Sequence, residues 1–102
     1  MEVTITGVNI TKGRPNKGGS RIIAFFDCEA EGFQLNGCAL VRTARNGLTV
    51  WPPKIEGPEA VRRSIVIVDD MLRNAIMSAA REAYRAIGGT DAEWIPTGEA
   101  AA

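Results

Sequence analysis

A chain of 102 residues, 45% hydrophobic, has room for one domain with a core of its own. Lys+Arg 12 balances Asp+Glu 12, so the zero net charge excludes a general polyanion binder that works by bulk charge. Histidine is absent, which removes the commonest general acid/base and a common metal ligand, and the two cysteines are no disulfide framework.

From the N-terminus, Glu2–Lys12 alternates as a strand whose apolar phase flips at Gly7, the mark of a β-bulge. Gly13–Ser20 (GRPNKGGS) is a connector. Next come two hairpin signals, Glu31-Gly32 and Asn46-Gly47, residues that adopt positive φ at little cost. A turn at Glu31-Gly32 pairs Ala30 with Phe33, Cys28 with Leu35, Phe26 with Gly37, Ala24 with Ala39 and Ile22 with Val41, all on one face. Val50 and Leu48 join that face. The other face then carries Ile23, Phe25, Cys38, Leu40 and Trp51 among charged residues, greasy enough to imply a partner. In this register Cys28 and Cys38 lie on opposite faces and do not pair. Pro52-Pro53 stops the fourth strand. Ser64–Val68 (SIVIV) is a fifth strand or a buried approach to a helix.

Asp69 is the N-cap of a helix running from about Asp70 to Ile87, closed by Gly88-Gly89. Leu72, Ala75/Ile76, Ala79, Ala83 and Ile87 make its buried stripe. Strands in a run followed by a helix indicate α+β: an antiparallel β-meander of four to five strands and one long C-terminal helix packed on the sheet. The domain covers residues 1–88, and 89–102 form a C-terminal tail. No apolar run approaches the length of a membrane span and no secretory leader pattern is present, so a cytoplasmic protein without membrane partners is expected.

Nothing in the chain combines a nucleophile with a base, and no metal-ligand spacing occurs. The expectation is a non-enzymatic protein with no metal and no cofactor. Gly13–Ser20 is no phosphate loop, because Lys17 precedes Gly18 and a strand follows. The cations within and flanking it, Lys12, Arg14, Lys17 and Arg21, are suited to phosphate contacts as a basic arm. Arg73, Met77, Arg81 and Arg85 fall four apart on the helix, away from the buried stripe. They form either a solvated face or a row of guanidinium groups for a phosphate backbone, which Arg62 and Arg63 extend. Trp51 is either a protein contact or a stacking platform for an unpaired base.

Several short stretches resemble the bacterial stage V sporulation protein G family. They are Met1-Glu2-Val3-Thr4, Arg21-Ile22-Ile23-Ala24, Phe33 with its alternating partners, Asn46 to Lys54 (NGLTVWPPK), and the helix end at Tyr84-Arg85. The resemblance spans about residues 1–88. It implies a small dimeric α+β protein that binds DNA or RNA and regulates gene expression, and it supports Lys54 as a basic contact. Ile55 departs from the pattern, where a second basic residue is usual, as do Asn36 and Gly37. The resulting expectation is a homodimeric nucleic-acid-binding regulator, DNA-binding or RNA-binding, contacting phosphates through Lys54, Arg62, Arg63, Arg73, Arg81 and Arg85. Ile23, Phe25, Leu40 and Trp51 form its dimer or partner face. The alternative is a protein–protein interaction module using the Phe25/Leu40/Trp51 face.

Overall fold

The computed structural model describes residues 2–58 and 64–90. Four strands form one antiparallel sheet in chain order: β1 (Val3–Ile10), β2 (Arg21–Ala30), β3 (Phe33–Arg42) and β4 (Leu48–Trp51). Among the described residues a single helix, α1 (Asp70–Ala86), follows and packs on one face. This is the α+β meander that the alternation predicts. Ser64–Val68 is no fifth strand of the sheet; it is the approach to the helix, with Ile67 packed against the core.

The hairpin between β2 and β3 turns on Glu31 and Gly32, at φ 51° and 83°. Two consecutive positive φ values match the twist of the flanking strands. The β3–β4 connection is longer than a two-residue turn. It runs through residues 43–47, with Asn46 at φ 68° and the Gly47 N–H donating to the Thr43 hydroxyl at 3.0 Å.

Three bulges set which side chains face the helix. One lies in β1 between Ile5 and Gly7, as the phase flip at Gly7 predicts, and it brings Val3, Ile5 and Val8 to the core together. The second gives β3 an extra residue: Cys28 pairs with Leu35, but Phe26 pairs with Cys38 rather than Gly37. Gly37 takes φ 87° there, and its N–H donates to the Asp27 carboxylate at 2.8 Å. The third returns the count by adding Ile23 to β2.

One added residue exchanges the two faces of a strand. The sequence-derived register is therefore corrected at Phe26 and Ala24, while the Ile22–Val41 pair stands as derived but on the other face. Cys38 and Leu40 lie in the helix-facing core, and Ile23 joins them there at its bulge. Ala39, which pairs with Phe25 and Trp51, and Val41, which pairs with Ile22 and Thr49, take the other face. Cys28 and Cys38 share the core as free, buried thiols.

The core comprises Ile23, Ala24, Phe26, Cys28, Ala30, Cys38, Leu40 and Val50 from the sheet, with Ile76, Ala80 and Tyr84 from the helix. Burying a side chain such as Phe26, Leu40 or Ile76 stabilises the fold by roughly 1.5–3 kcal/mol. The helix stripe thus runs through Leu72, Ile76, Ala80 and Tyr84, one ridge over from the expected Ala79/Ala83 line, and Ile87 is half exposed. Met77, expected on the exposed stripe, packs against the core.

Both helix ends are capped as predicted. The Asp69 carboxylate accepts from the Met71 N–H at 2.9 Å and the Leu72 N–H at 3.4 Å. At the other end the Gly89 N–H donates to the Tyr84 carbonyl at 2.9 Å and the Gly88 N–H to the Arg85 carbonyl at 3.1 Å. With Gly88 at φ 101°, this is a Schellman cap.

Candidate nucleic-acid interface

Cations are unevenly spread along the chain. No carboxylate occurs between Glu2 and Asp27 or between Glu31 and Glu56, whereas Lys12, Arg14, Lys17, Arg21, Arg42, Arg45 and Lys54 all fall in those two stretches. The fold brings most of them to one end of the sheet. Arg21 pairs with Arg42 at the ends of β2 and β3. The connector of residues 11–20 is stitched to β2 by the Thr11 N–H on the Ile23 carbonyl and the Gly13 N–H on the Ile22 carbonyl. Its far side is folded by Asn16, whose side-chain oxygen accepts from the N–H groups of Gly18 and Ser20.

Gly19 then meets the β3–β4 loop. A Cβ on it would stand 2.9 Å from the Ala44 Cβ, and its φ is 85°. This close approach places the connector, with Lys12, Arg14 and Lys17, beside the loop that carries Arg45. All four side chains are exposed, and none forms an ion pair with another described residue. Arg42 is buried at this end and donates to the Asn46 carbonyl at 2.6 Å, which holds the loop in place. The C-terminal end of α1 arrives at the same end, where Tyr84 and Gly88–Thr90 share a hollow with Lys12 and Arg21. Arg85 lies in that last helical turn, where positive charge suits the dipole.

Five of the eight described carboxylates collect at the opposite end, while Glu82 stands beside Arg85 on the helix. Glu2, Glu29 and Glu31 line one open hollow around the β2–β3 hairpin, and Asp69 and Asp70 start the helix near Phe33 and Leu35. From Arg21 to Ala30 is about 30 Å at roughly 3.3 Å per strand residue. The Debye length at physiological salt is about 8 Å, so the acidic end does not cancel the field of the basic one.

The helical arginines fare differently from expectation. Arg73 turns toward its own chain: it pairs with Asp70 at 2.7 Å and donates to the Ile67 carbonyl, tethering the 64–69 segment to the helix. Arg81 is half-buried. Arg85 is exposed at the basic end, and Lys54 is exposed beyond Trp51, some way from it. Arg62 and Arg63 lie outside the described residues. The fold therefore does not gather these six into one row. The basic end draws instead on Lys12, Arg14, Lys17 and Arg45, the first three singled out in sequence as a basic arm and Arg45 missed there.

On the sheet face away from the helix, Asn9, Phe25, Ala39 and Trp51 stand in one row across all four strands. Phe25 is 43% exposed and Trp51 39%, with the small, buried Ala39 between them. Of the four residues expected on this face, Phe25 and Trp51 are there. Ile23 and Leu40, at 3% and 0% exposure, are not, because the bulges at Gly37 and Ile23 rotate them into the core.

Among the described residues no helix is long and apolar enough to cross a membrane, and no group of three or more carboxylate or cysteine side chains is placed to hold a metal ion. Comparison of the chain with protein-family models, with curated proteins and with solved structures finds no match in any of the three.

Proposed function

We propose that this protein is a small, non-catalytic nucleic-acid-binding regulator that acts as a homodimer and meets phosphates with its basic end. The observation that carries this reading is the packing of Gly19 on Ala44, which joins two acid-free stretches of the chain into one cationic surface. Phosphate recognition by loop Lys and Arg side chains needs that kind of clustering, and a zero net charge does not prevent it. The implied role is occupancy of a DNA or RNA site, in line with the stage V sporulation protein G resemblance. Phe25 and Trp51, flanking Ala39, offer either unpaired bases or a partner protein a flat apolar contact, so a protein-interaction module remains the second reading.

Fluorescence anisotropy with labelled single-stranded and duplex DNA and RNA, titrated at several salt concentrations, tests the first reading. Wild type binds at low salt and weakens as salt rises, and the K12A/R14A/K17A/R45A variant loses most of that dependence. Absence of wild-type binding at low salt, or equal binding by the two proteins, transfers the assignment to the interaction module.

A further inference from the structure

The sheet face away from the helix keeps an aromatic pair uncovered. Phe25 and Trp51 flank Ala39, one strand away from it on either side. At about 4.8 Å per strand, their backbones stand roughly 10 Å apart. Ala39 is small and buried, so no side chain rises between them. Beside Phe25 an open hollow is lined by Gly7, Asn9 and Asp27.

This strip has a cationic side and an acidic side. The next row toward the basic end is Ile22, Val41 and Thr49, about 7 Å along the strands. That row is closed: Val41 is fully buried, and a Cβ on Gly13 of the connector would touch Ile22. Past it lie the connector with Lys12, Arg14 and Lys17 and the loop with Arg45. In the other direction the same face carries Asp27 and then Glu29.

The size of the strip selects its occupant. A stable protein interface buries about 800 Å² on each partner. Phe25 and Trp51, at 43% and 39% exposure, present about 200 Å² together at most, since such side chains carry roughly 150–250 Å² each. The rest of the open face is polar (Thr4, Asn9, Asp27, Glu29 and Gln34), and a protein partner would have to strip it of water. A base needs only one ring face, and stacking accepts any base. Bases in a duplex are already stacked on their neighbours, so only an unpaired strand can splay them onto a sheet.

We propose that an unpaired nucleic-acid strand lays its bases on Phe25 and Trp51 and turns its phosphates toward Lys12, Arg14, Lys17 and Arg45, so that the protein selects single strands over duplex. This rests on the phosphate-binding reading of the basic end and adds the substrate class to it. The rings meet bases and not sugars, so DNA and RNA strands share the chemistry.

Oligothymidylate, oligouridylate and a DNA duplex of equal length, titrated into the full chain, test it. With Trp94→Phe, Trp51 is the one tryptophan left, and its emission reports the platform. Either single strand should quench Trp51 and bind about tenfold tighter than the duplex, or better. Phe25→Leu and Trp51→Leu keep apolar bulk and remove the stacking face. Each should weaken single-strand binding about tenfold and leave duplex binding and the salt slope unchanged, whereas Trp51→Phe retains the affinity. Quenching needs no change at the rings, so the test stands even where a leucine variant unfolds. Equal affinity for strand and duplex without quenching overturns the platform and leaves the basic end standing. Leucine variants that lose self-association in sedimentation while keeping single-strand affinity also overturn it, and assign the face to a protein contact. A wild type that binds neither form at low salt removes the basic-end reading, and the platform with it.

Discussion

Asp27 shows how one side chain fixes the pattern around it. It lies mid-strand in β2, pairs with Gly7 at the β1 bulge, and accepts the Gly37 N–H from the β3 bulge at 2.8 Å. A bulge leaves an N–H without a ladder partner, and a carboxylate is a strong acceptor for it. Asp27→Ala should lower stability by about 1–3 kcal/mol, and Asp27→Asn by less, read as a shift of the denaturant midpoint at unchanged slope. Gly37→Ala should cost about 1 kcal/mol, because φ 87° is open to glycine and strained for alanine. The same bulge decides the chemistry of the thiols. Burial pushes both up, Cys38 to about 12 with its neighbours Cys28 and Asp27 adding to the effect. A thiol whose folded value lies above its unfolded one favours folding below the unfolded value, near 9, and loses that advantage as pH rises toward 12. At pH 8 a thiol-specific reagent should therefore label the native protein only as fast as it opens, and stability should fall as the pH is raised beyond about 9.

At the scale of elements, strands, helix ends and the β1 bulge were legible in the sequence, and the phases of β3 beyond Leu35 and of the helix were not. Glu31-Gly32, Asp69 and Gly88 announce turns and caps because few residues tolerate those backbone conformations or supply those acceptors. The interior bulge was hidden because Asn36-Gly37, itself a turn signal, sits between apolar residues that fit either parity. Cys38 and Leu40 were misplaced on the partner face for that reason, and Ile23 because of a separate bulge in β2 that no glycine marks. The helix stripe was ambiguous in a different way. Ala75, Ala79, Ala80 and Ala83 are small enough to line either of two adjacent ridges, and only the large ring of Tyr84 chooses between them. Tyr84 in turn constrains the cap: its hydroxyl donates to the Thr90 carbonyl at 3.1 Å, and a Cβ on Gly89 would stand 2.6 Å from its ring. Gly89→Ala should consequently destabilise by about 1–3 kcal/mol, as overpacking does, with thermal unfolding as the readout. Pairing it with Tyr84→Leu should remove part of that penalty, since the clash needs the ring.

For the molecule as a whole, zero net charge is a sum over two ends that do not screen each other. Composition alone argued against polyanion binding, and the linear order of charges hinted at separation, but two of the cationic segments lie more than twenty residues apart in sequence. What unites them is the contact of Gly19 with Ala44, a long-range event without a motif. The helix reinforces the asymmetry, with Asp69 and Asp70 at its start and Arg85 in its last turn. Counterion release turns this arrangement into a number. Each phosphate neutralised adds about 0.7–0.9 to the slope of log K against log salt, so removing Lys12, Arg14, Lys17 and Arg45 should flatten it by about three. Removing Lys54 and Arg85 should flatten it by no more than about two, because Lys54 lies away from the basic end and Arg85 only borders it. Arg73→Ala should leave the slope alone and instead loosen the 64–69 segment, since its guanidinium is held by Asp70 and the Ile67 carbonyl. A slope that falls equally in all three variants contradicts a localised interface. It indicates binding spread over the whole surface, and in that case the contact between Gly19 and Ala44 serves packing alone.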